Sequence, residues 1–516
     1  MLYRLGIDVG GTNTDAVLID DEMKVVAEVK IPTTEDIHSG ILDAMKKILE
    51  ISGVNREQIK QAMLGTTQCT NSIIERKNLA KIGVLRLGAP ASCDIRPMID
   101  WDEDLRCLVE DAQIIGGGFE HDGREIAPFD EEAARSFFEN LKGKVDSIAI
   151  SCVFSTIRND HEKRAAKLCY EVMGEDVHVS ISSEIGSMGL IERENATILN
   201  AMLNKIARHI TTSFEQKLRE FGVLNAAVYL SQNDGTLMTM EHAQRYPVLT
   251  IASGPTNSIR GASYLSNLED AIVVDVGGTT LDMGMLQKGF PRESSVAVTI
   301  GGVRTNFRMP DIVSIGLGGG SIVREKDGKI TVGPDSVGYK ITKDALVFGG
   351  DILTATDIAV RLGMADIGDK SKVAHLDEEF AKRALAVIRE LTEDTIDAIK
   401  VSGDDVDVIL VGGGSVILPL DLVGTKSVTL PEYFGAANAI GSAIAKVSGK
   451  VEKLVSYDET PREQALKEAR EEAIELAVKA GAIRESVEII EMEDTPLAYY
   501  AGNTCRVEAK AAGELA

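Results

Sequence analysis

Hydrophobic positions along the chain fall into short, β-branched runs broken by glycine turns, and the first such pattern occurs twice. Residues 5–20 read LGIDVGGTNTDAVLID and residues 272–287 read IVVDVGGTTLDMGMLQ, with Asp, Val, Gly, Gly, Thr and a later Asp in matching places. Each copy is an apolar run, a Gly-Gly-Thr turn and a second apolar run, which predicts a β-hairpin. The copies stand 267 residues apart. Solenoid repeats recur every 20 to 50 residues or so, and this spacing predicts two duplicated lobes instead.

Around the hairpins, strand-like and helix-like patterns alternate. Helices are expected at 39–49 and 130–141, and strands at 82–87 and 146–153. Asp130 stands where an N-cap is wanted, with acidic residues in the following turn. The stretch 185–221 has no Pro and no Gly after Gly189, which predicts one long helix linking the lobes. Farther on, 408–411 reads as a buried strand feeding a Gly-Gly-Gly-Ser turn, and 436–447 as a helix of small residues. In the last segment, Thr460 as N-cap, Pro461 at the first helical position and Gly481 beyond the end bracket another helix. Strands are expected after it at 487–492 and 504–509. The chain therefore divides into an N-terminal lobe (1–184), a linking helix with a C-terminal lobe (185–450) and a small α+β appendage (451–516).

Composition adds exclusions. A chain of 516 residues exceeds what one hydrophobic core organises. Lys plus Arg total 55 against 80 for Asp plus Glu, a formal charge of −25, which argues against nucleic acid or an anionic membrane as partner. The appendage alone carries 15 acidic and 8 basic residues, so its helix is expected to show an acidic, solvated face. No apolar run reaches the length of a bilayer crossing, and no basic-then-apolar leader opens the sequence. Six cysteines without a CxxC pair predict reduced thiols in a cytoplasmic protein.

The 48 glycines carry the candidate chemistry. A Gly-Gly-Thr turn after a strand lets main-chain N–H groups approach a phosphate, because glycine has no Cβ. The aspartate at each strand end, Asp8 and Asp275, suits a hydrated Mg²⁺ that neutralises phosphate oxygens. Two such turns facing across a cleft would grip a triphosphate from both sides. Asp15 and Asp282 follow seven residues later and are read as orienting the turns rather than touching metal. Gly412, Gly413 and Gly414 would let backbone pass along the flat face of an adenine. The triplet Gly318, Gly319 and Gly320 is a further turn without a clear assignment. Neither a Walker A loop nor a GxGxxG dinucleotide fingerprint occurs.

The order of these motifs resembles the superfamily of acetate kinase, sugar kinases, Hsp70 and actin. More specifically, LGTTQCTNSIIERK (64–77), ERENATILNA (192–201), ASGPTNSIRGA (252–262), SIGLGGGSIV (314–323) and VGGGS (411–415) resemble the hydantoinase A/oxoprolinase family over nearly the whole chain. The resemblance implies an α/β, two-lobed actin-like and ribonuclease H-like ATPase fold with ATP and Mg²⁺ as cofactors. It further implies phosphorylation of the carbonyl oxygen of a cyclic amide or related substrate, which turns that oxygen into a leaving group.

Residue by residue, Asp8, Gly10, Gly11, Thr12 and Asn13 match the first phosphate motif, and Asp275, Gly277, Gly278, Thr279 and Thr280 the second. Gly412, Gly413 and Gly414 match the adenosine turn. Asp8 and Asp275 are the expected catalytic and metal-holding residues. Thr66, Thr67 and Asn71 are substrate-side candidates, with helix capping as the competing reading. Arg304 and Arg308 could clamp a carboxylate or phosphate, with surface ion pairing as the alternative.

The sequence departs from the family pattern where many relatives have D-x-H-T, for it has Asp311-Ile312-Val313-Ser314. The missing histidine makes a transition-metal site there doubtful. The resemblance, together with the lack of a visible nucleophile–base pair, implies work with a separate hydantoinase B-type subunit, and an oligomer is expected. The competing functions are a small-molecule kinase of the same fold and an ATP-switched module that activates or chaperones a partner protein.

Overall fold

The computed structural model describes residues 2–10, 13–32, 37–186, 188–294, 298–307, 309–497 and 502–515. Both echoed segments form antiparallel hairpins in the same register. Tyr3–Val9 pairs with Asn13–Asp20 so that Asp8 stands opposite Asp15, and Ala271–Val276 pairs with Leu281–Gln287 so that Asp275 stands opposite Asp282. The turns close alike, with Gly10 N–H donating to the Asn13 carbonyl at 3.0 Å and Gly277 N–H to the Thr280 carbonyl at 2.9 Å. Each hairpin then gains a parallel neighbour beside its first strand: Ile59–Thr66 in the first lobe and Val406–Val411 in the second. Their carboxyl ends therefore gather at one edge of each sheet, where open α/β folds place ligands.

The first sheet has nine strands. From one edge they run Glu488–Pro496, Thr504–Gly513, Val447–Ser456, Leu237–Thr239, Ala227–Ser231, Ile59–Thr66, Tyr3–Val9, Asn13–Asp20 and Val25–Pro32. The second sheet carries Phe290–Pro291, Leu281–Gln287, Ala271–Val276, Val406–Val411 and Thr425–Thr429, with Ile312–Ile315 also paired to Leu281–Gln287. A third, all-parallel sheet is inserted in the first lobe as Val109–Gly116, Ile82–Ala89, Ser147–Cys152 and His178–Ile181. Helix Glu131–Leu141 buries Phe137, Phe138 and Leu141 in its core, and Asp130 caps that helix by accepting from the Ala133 N–H.

The long helix is Leu190–Glu220. Its first turns are buried although they are polar, and they stay satisfied. Glu194 takes both Arg86 Nε, at 2.7 Å, and Ser151 Oγ, at 2.6 Å, while Arg193 donates to the Cys152 carbonyl at 2.8 Å. A buried ion pair of this kind fixes one docking geometry, because breaking it would strand a charge away from water.

Two shorter helices, Ser253–Ser266 and Ala437–Ile444, lie between the sheets. They cross backbone to backbone: a Cβ on Gly261 would collide with the Ala437 carbonyl, and one on Gly441 with the Asn257 carbonyl. Glycine is needed at this crossing because any side chain would push the lobes apart.

Two sequence expectations shift. The small-residue helix ends at Ile444 rather than 447, and Val447–Ser456 is a strand. The Lys446 carbonyl accepts the Leu237 N–H at 2.8 Å, which commits the chain to the first sheet before another helical turn can form. The final helix, Arg462–Lys479, has Pro461 rather than Thr460 at its N-cap. Its Ala465, Ala469, Ala473 and Ala477 are buried at four-residue intervals, forming a flat stripe that seats it close to the sheet. Among the described residues, no helix is long and apolar enough to cross a membrane. As units of chain, 1–184, 185–450 and 451–516 are a proposed division. By hydrogen bonding, the strands of 451–516 extend the sheet of the first lobe.

Candidate active site

Both hairpin turns open into one cleft. Asp8, Gly10 and Asn13 line it from the first lobe, and Asp275, Gly277, Gly278, Gly412, Gly413 and Gly414 from the second. Ile341, Phe348, Ile367 and Val416 supply an apolar wall. The cleft thus has a polar, glycine-rich end between the aspartates and a greasy end beyond them, a division suited to a ligand with a charged tail and a flat apolar head.

The second lobe builds its side from three glycine turns knitted by backbone hydrogen bonds. Gly319 N–H donates to the Gly277 carbonyl at 3.0 Å, Gly320 N–H to that of Gly278 at 2.8 Å, and Gly414 N–H to that of Val276 at 2.7 Å. The unassigned Gly318–Gly320 turn is therefore part of the site, with Gly319 in the lining and its carbonyl held by Thr356 Oγ1 at 2.8 Å. Gly412 adopts φ +84°, and a Cβ there would collide with the Asp275 carboxylate. The adenosine-turn candidate and the metal candidate are thus in direct contact.

Asp8 is buried, and among the described residues only Asn438 Nδ2 reaches its carboxylate, at 3.5 Å from Oδ2. Burial first, then the negative charges of Asp15 and Asp275, push its carboxyl up to about 7. Asp275 keeps part of its surface open to the cleft and accepts from Ser258 Oγ. Burial raises its carboxyl to about 6, opposed by that hydroxyl. Asp8 Oδ1, Asn438 Oδ1 and both amide atoms of Asn257 are buried without a hydrogen-bond partner among the described residues. Native interiors rarely leave such atoms unsatisfied, and two of the residues that carry them, Asp8 and Asn438, line the cleft, which marks where water or a ligand completes the structure. The donor set, two hard carboxylates and neutral amides beside a cleft, fits a hydrated Mg²⁺ better than a softer metal.

Asp15, which lines the cleft, and Asp282 are held by different means. Lys30 Nζ stands 2.7 Å from both oxygens of Asp15. Asp282 is held by the hydroxyls of Ser314 and Thr280, the latter at 3.4 Å.

The other candidates lie elsewhere. Thr279 and Thr280 belong to the second turn but are outside the cleft lining. Thr66, Thr67 and Asn71 sit beside the end of the Asp8 strand, where Val9 registers with Thr66. Their side chains serve the local turn: Thr66 Oγ1 accepts the Gln68 N–H at 3.2 Å, and Thr67 Oγ1 accepts Asn71 Nδ2 at 3.4 Å. Arg304 is mostly exposed and pairs with Glu192 at 3.4 Å. Asp311 is engaged by Arg292 Nε at 3.0 Å. Gly11, Thr12 and Arg308 lie outside the described residues.

Sequence reasoning missed Lys30, Asn438 and Asn257. A signal existed for the asparagines, since Asn257-Ser258-Ile259 and Asn438-Ala439-Ile440 are a second, fainter echo on the two crossing helices.

Two hairpins in one register, a parallel strand beside each and a paired helix crossing between the sheets define the two-lobed actin-like, ribonuclease H-like fold. Within that class, the chain belongs to the hydantoinase/oxoprolinase family. The model of the family's N-terminal region matches residues 4–173, and the hydantoinase/oxoprolinase model matches 193–366. Among curated relatives, caprolactamase subunit alpha of Pseudomonas jessenii is 27% identical over 496 residues, covering 86% of this chain and 70% of that protein. Acetophenone carboxylase gamma subunit of Aromatoleum aromaticum is 27% identical over 397 residues, covering 70% of this chain and 53% of that one. The chain thus spans from about half to 70% of the length of these relatives. The crystal structure of ATP-dependent caprolactamase from P. jessenii superposes with a TM-score of 0.81 at 21% identity, covering 100% of this chain and 88% of that one.

Proposed function

We infer that this chain is the ATP-using subunit of an enzyme that activates the carbonyl group of a cyclic amide or related substrate for hydrolysis. The observation that carries this reading is the convergence of Asp8 and Asp275 on one cleft floored by orphaned polar atoms and walled by three glycine turns. Asp8, Asp275 and the amides around them would hold Mg²⁺, which when bound neutralises charge on phosphate oxygens. The main-chain N–H groups around Gly10, Gly277 and Gly278 would cradle the phosphates, and Gly412–Gly414 with the apolar wall would take the adenine.

What this chain supplies is position. Phosphoryl transfer needs an in-line approach and compensated charge more than a covalent protein nucleophile. With the phosphate tail fixed at the aspartates, a carbonyl oxygen entering beside the Asp8 strand end would attack the terminal phosphorus while the bond to ADP breaks. Water would then add to the activated carbon, the C–N bond would break as the nitrogen takes a proton, and a second water would release the phosphate together with the former carbonyl oxygen. The names of the relatives, a lactamase subunit and a carboxylase subunit, support a carbonyl substrate and a partner subunit. We infer a hydantoinase B-type partner that completes hydrolysis. The six cysteines are all free of disulfides, in keeping with a reducing cytoplasm.

The test is ATP turnover by the chain, alone and with its B-type partner, across hydantoins, lactams and oxoproline-like rings labelled with ¹⁸O at the carbonyl. Ring-dependent turnover with label in the released phosphate is the expected result. Turnover indifferent to every ring would overturn the reading, and a stable phosphorylated product in phosphorus NMR would turn it into a kinase.

A further inference from the structure

Lys30 belongs to the strand Val25–Pro32, at the far edge of the first sheet from the appendage, and its side chain reaches back into the cleft. Its ammonium touches both lobes. Nζ stands 2.7 Å from each oxygen of Asp15 and 2.9 Å from the carbonyl oxygen of Gly435. Its Cε passes 3.6 Å from the position a Cβ on Gly413 would take, so the stem lies against the adenosine-turn candidate. Among the described residues lining the cleft, Lys30 is the one cation, set against the carboxylates of Asp8, Asp15 and Asp275. A polyphosphate entering this cleft meets three negative groups and needs more compensation than a single divalent ion gives.

An ammonium has three N–H donors, and the contacts account for all three: two on Asp15 and one on Gly435. These bonds are unequal in value. Asp15 is a buried carboxylate that would be left uncompensated if Lys30 departed, whereas the Gly435 carbonyl is neutral and at the cleft surface, where water can replace the lysine. The cheap exchange is therefore of Gly435 for an anion, with Asp15 keeping hold of the lysine and aiming it.

We propose that Lys30 is a phosphate ligand of the bound nucleotide: its ammonium trades the Gly435 carbonyl for a phosphate oxygen while Asp15 fixes its direction, so that the site discriminates nucleotides by their number of phosphates. The proposal rests on the nucleotide reading of the cleft, and its test separates the two. Binding of AMP, ADP and the β,γ-imido analogue of ATP is measured with Mg²⁺ by calorimetry on the full chain, for the wild type, Lys30→Met and the double variant Lys30→Met with Asp15→Asn. The double variant removes the charge that Lys30→Met would strand, so a folding defect of the single variant leaves the question answerable. The expected result is a graded loss in both variants: little change for AMP, several-fold for ADP and about 10- to 100-fold for the analogue, the range of a lost charge-assisted hydrogen bond. Equal losses for all three ligands, or none, would overturn the role of Lys30. A wild-type chain that binds none of the three at millimolar concentration would overturn the nucleotide reading itself.

Discussion

The two hairpins share a backbone and differ in charge. In the first, Asp8 is buried with one oxygen unpartnered among the described residues, and its cross-strand neighbour Asp15 is held by an ammonium. In the second, Asp275 is partly open and already holds a hydroxyl proton from Ser258, and its neighbour Asp282 is held by two more hydroxyls. One duplicated turn has thus become a half whose second aspartate is held by a cation and a half whose two aspartates are held by neutral hydroxyls. Duplication conserves geometry more readily than electrostatics, because a hairpin register depends on backbone whereas a carboxylate depends on whichever side chains reach it.

The sharpest way to break this comparison is to neutralise each aspartate. Asp8→Asn should lower ATP turnover by about a thousandfold and Asp275→Asn by about a hundredfold, measured as kcat/KM. Equal losses would mean that the halves are interchangeable. The same Asp8 variant should behave oppositely in stability. A carboxyl raised to about 7 by burial favours the protonated folded state, so its contribution is full below the ordinary carboxylate pKa and is lost as pH rises through 7. The fall in thermal midpoint of the metal-free protein from pH 5 to pH 8 should therefore be smaller in Asp8→Asn than in wild type.

A second contrast lies within one turn. Gly412→Ala should weaken ATP binding about tenfold or more, since its Cβ drives into the Asp275 carboxylate, whereas Gly413→Ala meets only the Lys30 stem and should be mild. Metal binding gives a finer test: Mg²⁺ affinity should climb about tenfold per pH unit up to near 7, where Asp8 releases its proton, and then flatten. Calorimetric titration at pH 6, 7 and 8 reads this directly. The smallest effect is expected for Ser314→Ala, about two- to fivefold in kcat/KM, because Thr280 still holds Asp282.

Much of this was legible before any coordinates. The hairpins announced themselves because their chemistry is contiguous in sequence, from aspartate through glycines to the second aspartate. The glycine turns were visible for the same reason, although nothing local told that Gly318–Gly320 would stack on Gly277 and Gly278. Lys30 was invisible because it acts through a strand at one end of a nine-stranded sheet and a carbonyl 405 residues away. The asparagines were hidden by bland surroundings, among the small residues of two short helices. Strand pairing across the chain was the hardest to foresee: an acidic helix and two short strands at the end carry little local sign that they complete the sheet built by the first residues.

The glycine contact where Ser253–Ser266 crosses Ala437–Ile444 has a mechanical meaning. With carbonyls resting on Cα atoms, there is no cushion of side chains to shear, and sliding of one lobe over the other would tear close packing on both faces at once. What remains easy is rotation about the crossing, as of two boards pinned at a single point. A turn of about 10° there would carry atoms about 20 Å away through roughly 3.5 Å, on the scale of known lobe closures. The crossing thus has the geometry of an axle. Rotation about it would leave the nearby aspartates almost in place, while the walls farther out would sweep through the larger arc and enclose what the cleft takes in.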